Sequence, residues 1–395
     1  MDTVEWIRRT AHPLATVDPA DPLDDLRPLA GMVGDASVVG YGAGTRGAHE
    51  VFALQDRIAR LLVGEAGFRV VAFDLDWTLG ARLDAAVRGE GDPAGILAGA
   101  EAFADTEEVL ALLRWVRGFN RAHPDDPVGI VGVSPHAVGP EAYDTVVAHV
   151  PEAAEVYDGL RPDGDVAAHA RRLRAAADRR SRVERARAAH DLVAARGAGP
   201  LVLRSARVIV QFHELHDHDG RPEDPMNMAY YEKAFAENVE WWHRHTGRRV
   251  LFWSSSSHTC NGLRRGFPPF PSHVSRNAGS HLRERMGDGY LSLGITFHEG
   301  ELATYGEPAT GRVPESGPEL AEATLDAAGD GYLLDLRAGP PPPAGGWLDR
   351  EARFRVIGRP TDDGSHYMTG GSPREWFDVL AHWRRVTPAR RIRRG

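Results

Sequence analysis

The chain has 395 residues, 42% hydrophobic and 26% charged, with a net charge of −9 at neutral pH. That length and apolar share support a sizeable core, and the negative balance argues against nucleic acid or an anionic membrane as the main partner. The lone cysteine, Cys260, excludes an intrachain disulfide and a cysteine-based zinc site.

The opening "MDTVEWIRRTAHPLATVDP" lacks a basic region followed by an apolar one, so no secretory leader is expected. No apolar run approaches the roughly 20 residues of a membrane span, and a soluble, cytoplasmic protein is expected. Strands are predicted at 37–42, 69–75, 128–134, 248–255 and 290–297, then at 331–336, 353–358 and 376–383. Several are nearly continuous apolar runs, the pattern of strands buried on both faces of a parallel sheet. Between them, Val51, Leu54, Ile58, Leu61 and Leu62 fall at helical spacing. "TEEVLALLRWVRGFN" at 106–120 opens on Thr106 as an N-cap, with acids in its first turn. The alternation predicts an α/β fold, a mainly parallel sheet flanked by helices, in a single domain over 1–395.

Residues 150–247 break that alternation. They are Ala/Arg-rich and then amphipathic, and read as a helical insertion capping one end of the sheet. "GPPPPAGGW" at 339–347 reads as a surface loop. The arginines between Arg171 and Arg187 read as a solvated helix face, and the closing "ARRIRRG" as a frayed tail. No internal repeat is visible.

"VVGYGAGTRGAHEVF" at 38–52 carries the first chemical question. Gly42-Ala43-Gly44-Thr45-Arg46-Gly47 fits G-x-G-x-x-G between a strand and a helix, with Asp74 at the end of the next strand. A dinucleotide cradle fits this pattern, and so does any tight turn into a helix. In either case the helix N-terminus favours an anion or a polarised oxygen.

An ordered set of segments points elsewhere. The residues up to Gly42, "HEVFALQDRIARLLVGEAGFRVVAFDLDW" at 49–77, "DTEEVLALLRWVRGFN" at 105–120, "YYEKAFAENVEWWHRHTGRRVLFWSSSSH" at 230–258, "YLSLGITFHEGELATY" at 290–305 and "WFDVLAHWRRVTPARRI" at 376–392 together resemble the erythromycin esterase family. The resemblance implies a metal-independent hydrolytic site with no cofactor. The family's first loop usually reads G-E-x-x-H-G, with the His proposed as the base that activates water. Here those positions are Ala43 and Arg46. The second strand usually ends in Glu, here Asp74. The usual W-x-H-N-x-H is Trp253-Ser254-Ser255-Ser256-Ser257-His258, keeping only the last His. The usual G-x-D is Gly132-Val133-Ser134, and the usual Arg-Asp is Tyr231-Glu232.

Arginine stays protonated and cannot act as a base. Arg46 is therefore expected to hold an anion or a developing oxyanion, a role that suits the loss of a carboxylate at position 43. His258 becomes the candidate base, with Asp74 to orient it or to act alone. Ser255, activated by His258, is a candidate nucleophile, although serine-rich loops are also ordinary turn chemistry. His49, Glu50, Thr45, Asp76 and Ser257 complete the residues expected to contact substrate. "FHELHDHDG" at 212–220 and His298 read as polar helix and strand ends rather than metal ligands, and Trp77, Trp241 and Trp242 as core or pocket wall. No metal is expected.

The implied function is an enzyme with a rebuilt site acting on an ester, lactone, acyl or peptide-derived small molecule, in specialised metabolism and by hydrolysis, elimination, cyclisation or acyl transfer. The alternative is a catalytically inactive ligand-binding or immunity protein that keeps the fold. The sequence does not specify an oligomeric state.

Overall fold

Apolar runs pair side by side through the middle of the molecule. In chain order they are β1 (Val38–Ala43), β2 (Phe68–Asp76), β3 (Gly129–Ser134), β4 (Arg249–Ser255), β5 (Tyr290–Ala303), β6 (Gly331–Asp335) and β7 (Val379–Val386). The computed structural model describes residues 2–98, 100, 103–217, 225–267, 270–304, 310–339, 346–357 and 366–393. In space the order is β6-β7-β5-β1-β4-β2-β3. All are parallel except β6, which runs antiparallel to β7. His12–Pro13 extends the β6 edge, and Thr310–Val313 pairs with the end of β5.

Alternate residues of each central strand face opposite layers, which is why these strands read as unbroken apolar runs. Val39, Tyr41, Val71, Phe73, Leu251 and Trp253 pack toward α1 (His49–Ala66) and α3 (Glu107–Ala122). Val38, Val70, Ala72, Val250 and Phe252 pack on the other side against Phe235 and Val239 of α7 (Pro225–Thr246) and Leu282 of α9 (Ala278–Met286). The free edge of β3 is closed by α2 (Trp77–Val87). The Ile130 amide donates to Asp84 Oδ1 at 2.9 Å, and a Cβ on Gly80 would lie 1.9 Å from the Gly132 nitrogen. Covering an edge in this way removes a template for unwanted pairing.

Between β3 and β4 the described residues form helices from Pro140 to Thr246. α4 (Pro140–His149), α5 (Arg179–Ala195) and α6 (Pro200–Asp217) share a core built on Tyr143, Leu160, Ala186 and Phe212. α7 then returns to the sheet.

Two expectations need correction. Strand β7 begins at Val379 rather than 376, because Ser372 and Glu375 form a capping box that starts a one-turn helix at Pro373–Trp376. The C-terminal segment is not frayed as far as Arg393. The Glu50 carboxylate accepts from the Thr387 amide and hydroxyl at 2.6 and 2.7 Å, and Glu108 accepts from Arg390 at 3.2 Å. A small antiparallel sheet of Arg265–Phe267, Phe270–Ser275, Ala352–Arg355 and Tyr367–Gly371 has no counterpart in the expectations except part of the 353–358 strand. No helix among the described residues is long and apolar enough to cross a membrane.

Candidate active site

Four adjacent strands, β1, β4, β2 and β3, end on the same side of the sheet, and a polar cluster gathers there. Carboxyl ends of parallel strands are where α/β folds collect ligands and chemistry. The loop after β1 brings Arg46. β2 brings Asp74, where one extra residue against β3 between Phe73 and Asp76 bulges the strand. The end of β4 supplies Ser254, and the single turn α8 (Ser256–Thr259) supplies His258. From the covering layer, α7 adds Tyr231 and Glu232.

The shape of the first loop comes from its neighbours. A Cβ on Gly42 would lie 2.1 Å from Thr259 Oγ1 and 2.6 Å from the Ser256 Cα, and one on Gly47 would lie 2.6 Å from the Ala303 carbonyl. Close packing against α8 and β5 thus accounts for these glycines without a phosphate. Thr45 is buried, and its hydroxyl accepts from the Gly47 amide at 3.2 Å, so it serves the loop itself.

Asp74 is the hub. Its Oδ2 accepts from Arg46 Nη2 and from Ser254 Oγ at 2.9 Å, and its Oδ1 accepts from Tyr231 Oη at 3.2 Å. Burial acts to raise its pKa, but Arg46, then His258 and His136, with the Ser254 hydrogen bond, outweigh burial and hold the carboxyl below its usual value. Arg46 also lies over the Phe103 ring, 4.2 Å from its centroid, which fixes the guanidinium from the other side. Arg46 is therefore engaged by Asp74, not held out as a bare anion receptor.

His258 is oriented by Glu232 and not by Asp74. Its Nδ1 meets Glu232 Oε1 at 2.8 Å, and its ring sits 5.6 Å from the centroids of Tyr231 and Phe235. Glu232 is fully buried and also accepts from Arg265 Nη2 at 3.2 Å and from the Ala278 amide at 2.8 Å. Burial pushes its pKa up, yet His258 and Arg265 bring it below the usual carboxylate value. With Nδ1–H given to a carboxylate, Nε2 is the acceptor nitrogen, and no described residue takes it. The His258 side chain keeps 14% of its surface exposed.

The nucleophile set suggested by the sequence is not assembled. Ser255 Oγ meets Ser257 Oγ at 2.6 Å, and neither serine hydrogen-bonds His258. The Cys260 thiol, beside Asn277, is pushed up to about 12 by burial, so little thiolate forms near neutral pH. Asp76 caps α2, accepting from the Thr78 and Leu79 amides at 2.9 and 3.0 Å. His49 pairs with Glu108 at 2.7 Å and Glu50 holds Thr387, so both join the C-terminal segment rather than the cluster.

In the histidine-rich stretch, His213 meets Tyr143 at 3.2 Å and His216 meets the Phe212 carbonyl at 2.7 Å, both inside the helical block. His218 lies outside the described residues. Among the described residues no group of three or more His, Cys, Asp or Glu could hold a metal ion. Reading the sequence missed the roles of Glu232, Ser254, Tyr231 and His136. Glu232 stands 26 residues before His258 on a separate helix, so no local spacing signals the pair.

A sequence model of the family described as erythromycin esterase matches residues 63–386. Erythromycin esterase type II of Escherichia coli is 28% identical over 118 residues, which is 30% of this chain and only 28% of that protein's length. A solved structure of a Bacillus cereus protein is 25% identical with a TM-score of 0.86, covering 99% of this chain and 98% of that one. A succinoglycan biosynthesis protein is 23% identical with a TM-score of 0.87, covering 98% of both chains. An erythromycin esterase mutant in its open conformation is 15% identical with a TM-score of 0.67, covering 94% of this chain and 97% of that one.

Proposed function

The chain belongs to the erythromycin esterase family, and from that premise we propose that it is an esterase-type hydrolase of a small-molecule ester or lactone, with His258 as its base. The observation that carries this reading is the His258–Glu232 pair. A buried carboxylate holds Nδ1, and the partly exposed ring keeps Nε2 as an acceptor. In the proposed reaction Nε2 takes a proton from water, and the resulting hydroxide attacks the acyl carbon. The acyl C–O bond breaks, and the imidazolium returns the proton to the departing alkoxide, leaving acid and alcohol. Glu232 and Asp74 both favour the transient positive charge on His258. Asp74 accepts three hydrogen bonds and has a lowered pKa, so it acts as a fixed counter-charge rather than a base.

The test is a panel of aryl esters, alkyl esters and lactones of increasing ring size, with product analysis to separate hydrolysis from elimination or acyl transfer. His258→Gln should lower kcat by roughly 100-fold or more, and Glu232→Gln by about tenfold. A His258→Gln protein that retains the wild-type rate refutes the assignment.

A second reading, ligand binding without turnover, is favoured by the Arg46–Asp74 pair. It puts a permanently charged and already neutralised group where the related loop carries a titrating histidine. Panel compounds that raise Tm without being converted would support it.

A further inference from the structure

Asp74 has a second line of partners that the proposed reaction leaves unused. Tyr231 Oη, which donates to Asp74 Oδ1 at 3.2 Å, also meets Ser134 Oγ at 2.9 Å. Ser134 Oγ in turn meets Nδ1 of His136 at 2.6 Å. Ser134 ends β3, His136 follows it in the next turn, and Tyr231 reaches in from α7, so three elements contribute.

Counting protons fixes the direction of every bond. Asp74 accepts from Arg46, Ser254 and Tyr231, which is carboxylate behaviour, so the single Tyr231 proton is committed to it. Ser134 must then give its own single proton to Tyr231. Having none left, Ser134 can only accept from His136, whose Nδ1 must carry a hydrogen. The chain runs one way, from imidazole through two hydroxyls to carboxylate, and such aligned bonds strengthen one another.

We propose that His136 is a positioning residue of this site, the far anchor of a one-way donor chain through Ser134 and Tyr231 that fixes Asp74 beside Arg46 and His258. Its effect on turnover rests on the esterase reading, whereas the chain itself is a property of the free protein. The positions that the resemblance assigns to an Asp and an Arg are here Ser134 and Tyr231, which touch directly through their hydroxyls.

Long-range proton–nitrogen spectra of protein carrying nitrogen-15 histidine, assigned with His136→Asn, read the tautomer without any substrate. The expected result is a protonated Nδ1 on His136 in the wild type, with a shift toward the Nε2–H form in Tyr231→Phe, where the freed Ser134 proton can turn to Nδ1. A bare Nδ1 in the wild type, or a tautomer indifferent to Tyr231→Phe, overturns the proposal. On the most active aryl ester, His136→Ala should lose roughly tenfold in kcat with little change in KM. His136→Asn, whose amide can still donate to Ser134, should recover most of it. Equal loss in both variants would also overturn the role, and that pair of variants decides the matter if Tyr231→Phe fails to fold. A wild type inactive on the whole panel would sink the esterase reading and leave the tautomer result standing.

Discussion

Arg46 and Asp74 show how the value of one side chain is set by another. Their side chains are 12% and 4% exposed, and Arg46 is the first among the charges that keep Asp74 ionised against its burial. Removing one member of such a pair leaves an uncompensated buried charge, which costs about 3–5 kcal/mol. Arg46→Met should therefore destabilise the protein by about 3 kcal/mol in urea denaturation. Adding Asp74→Asn removes the stranded charge, so the double variant should be clearly less destabilised than the sum of the two singles. Strict additivity would show that the two groups do not act as a pair. The sequence brought Arg46, Asp74 and His258 into view because each sits at the end of a strand inside a recognisable segment. It did not reveal Glu232 as the partner of His258, because that contact joins α7 to α8, nor His136, which stands two residues after Ser134 but connects to Asp74 only through Tyr231 of α7. Ser255 shows the opposite failure. It lies only three residues before His258 in sequence, yet its hydroxyl meets that of Ser257.

At the scale of elements, the glycine-rich loop illustrates why a motif and its cause can differ. Gly42, at the end of β1, meets α8 through the Ser256 backbone, which cannot swing aside as a side chain would. Gly42→Ala should cost about 1–3 kcal/mol by overpacking. It should also depress any ester hydrolysis, because α8 carries His258 and would have to shift. Gly64→Ala on α1 has nothing within 4 Å of its added methyl, so it should be neutral or stabilising by up to about 1 kcal/mol. Thermal melts of the two variants distinguish steric packing from a general intolerance of alanine. The central strands were legible for a related reason: each is apolar on both faces because helices cover both faces, and that condition is written in a short window of sequence. The small sheet of Arg265–Phe267, Phe270–Ser275, Ala352–Arg355 and Tyr367–Gly371 was legible only in part of its 353–358 segment, since its strands are short, lack a clear local period, and its two halves meet across a long sequence separation through Gly266 and Thr369. The helix at Pro373–Trp376 did leave a local signal, Ser372 three residues before Glu375, which the apolar run around it obscured.

For the molecule as a whole, buried histidines in separate layers govern the response to acid. Burial first, with neighbouring imidazoles next, lowers His213 to about 3 in the helical block and His382 to about 3 on β7. Burial lowers His216 to about 4. Each is neutral when folded but takes a proton near 6.5 when unfolded. The unfolded chain thus binds more protons below that value, and stability falls as pH falls. Each histidine contributes about 1.4 kcal/mol per pH unit, and the three together about 4. Glu322 works against them. Burial raises it to about 7 from 4.5, so the folded state keeps a proton that the unfolded state loses, and acidification through that window stabilises by about 1.4 kcal/mol per unit. The lowered carboxyls of Asp74 and Glu232 act mainly below their ordinary values of 3.8 and 4.5, outside this range. Because the unfolded imidazoles are only half protonated at pH 6.5, the net expectation is a loss of about 3 kcal/mol between pH 6.5 and pH 5, a sizeable part of the roughly 5–15 kcal/mol that holds a typical domain folded. Urea midpoints at pH 5, 6 and 7 should fall with acid. His382→Gln should flatten the slope, and Glu322→Gln should steepen it. Because His213 and His382 lie in different layers, the transition should be seen at the same pH by probes in the helical block and in the sheet. A flat midpoint over this range would mean that these imidazoles are not held neutral.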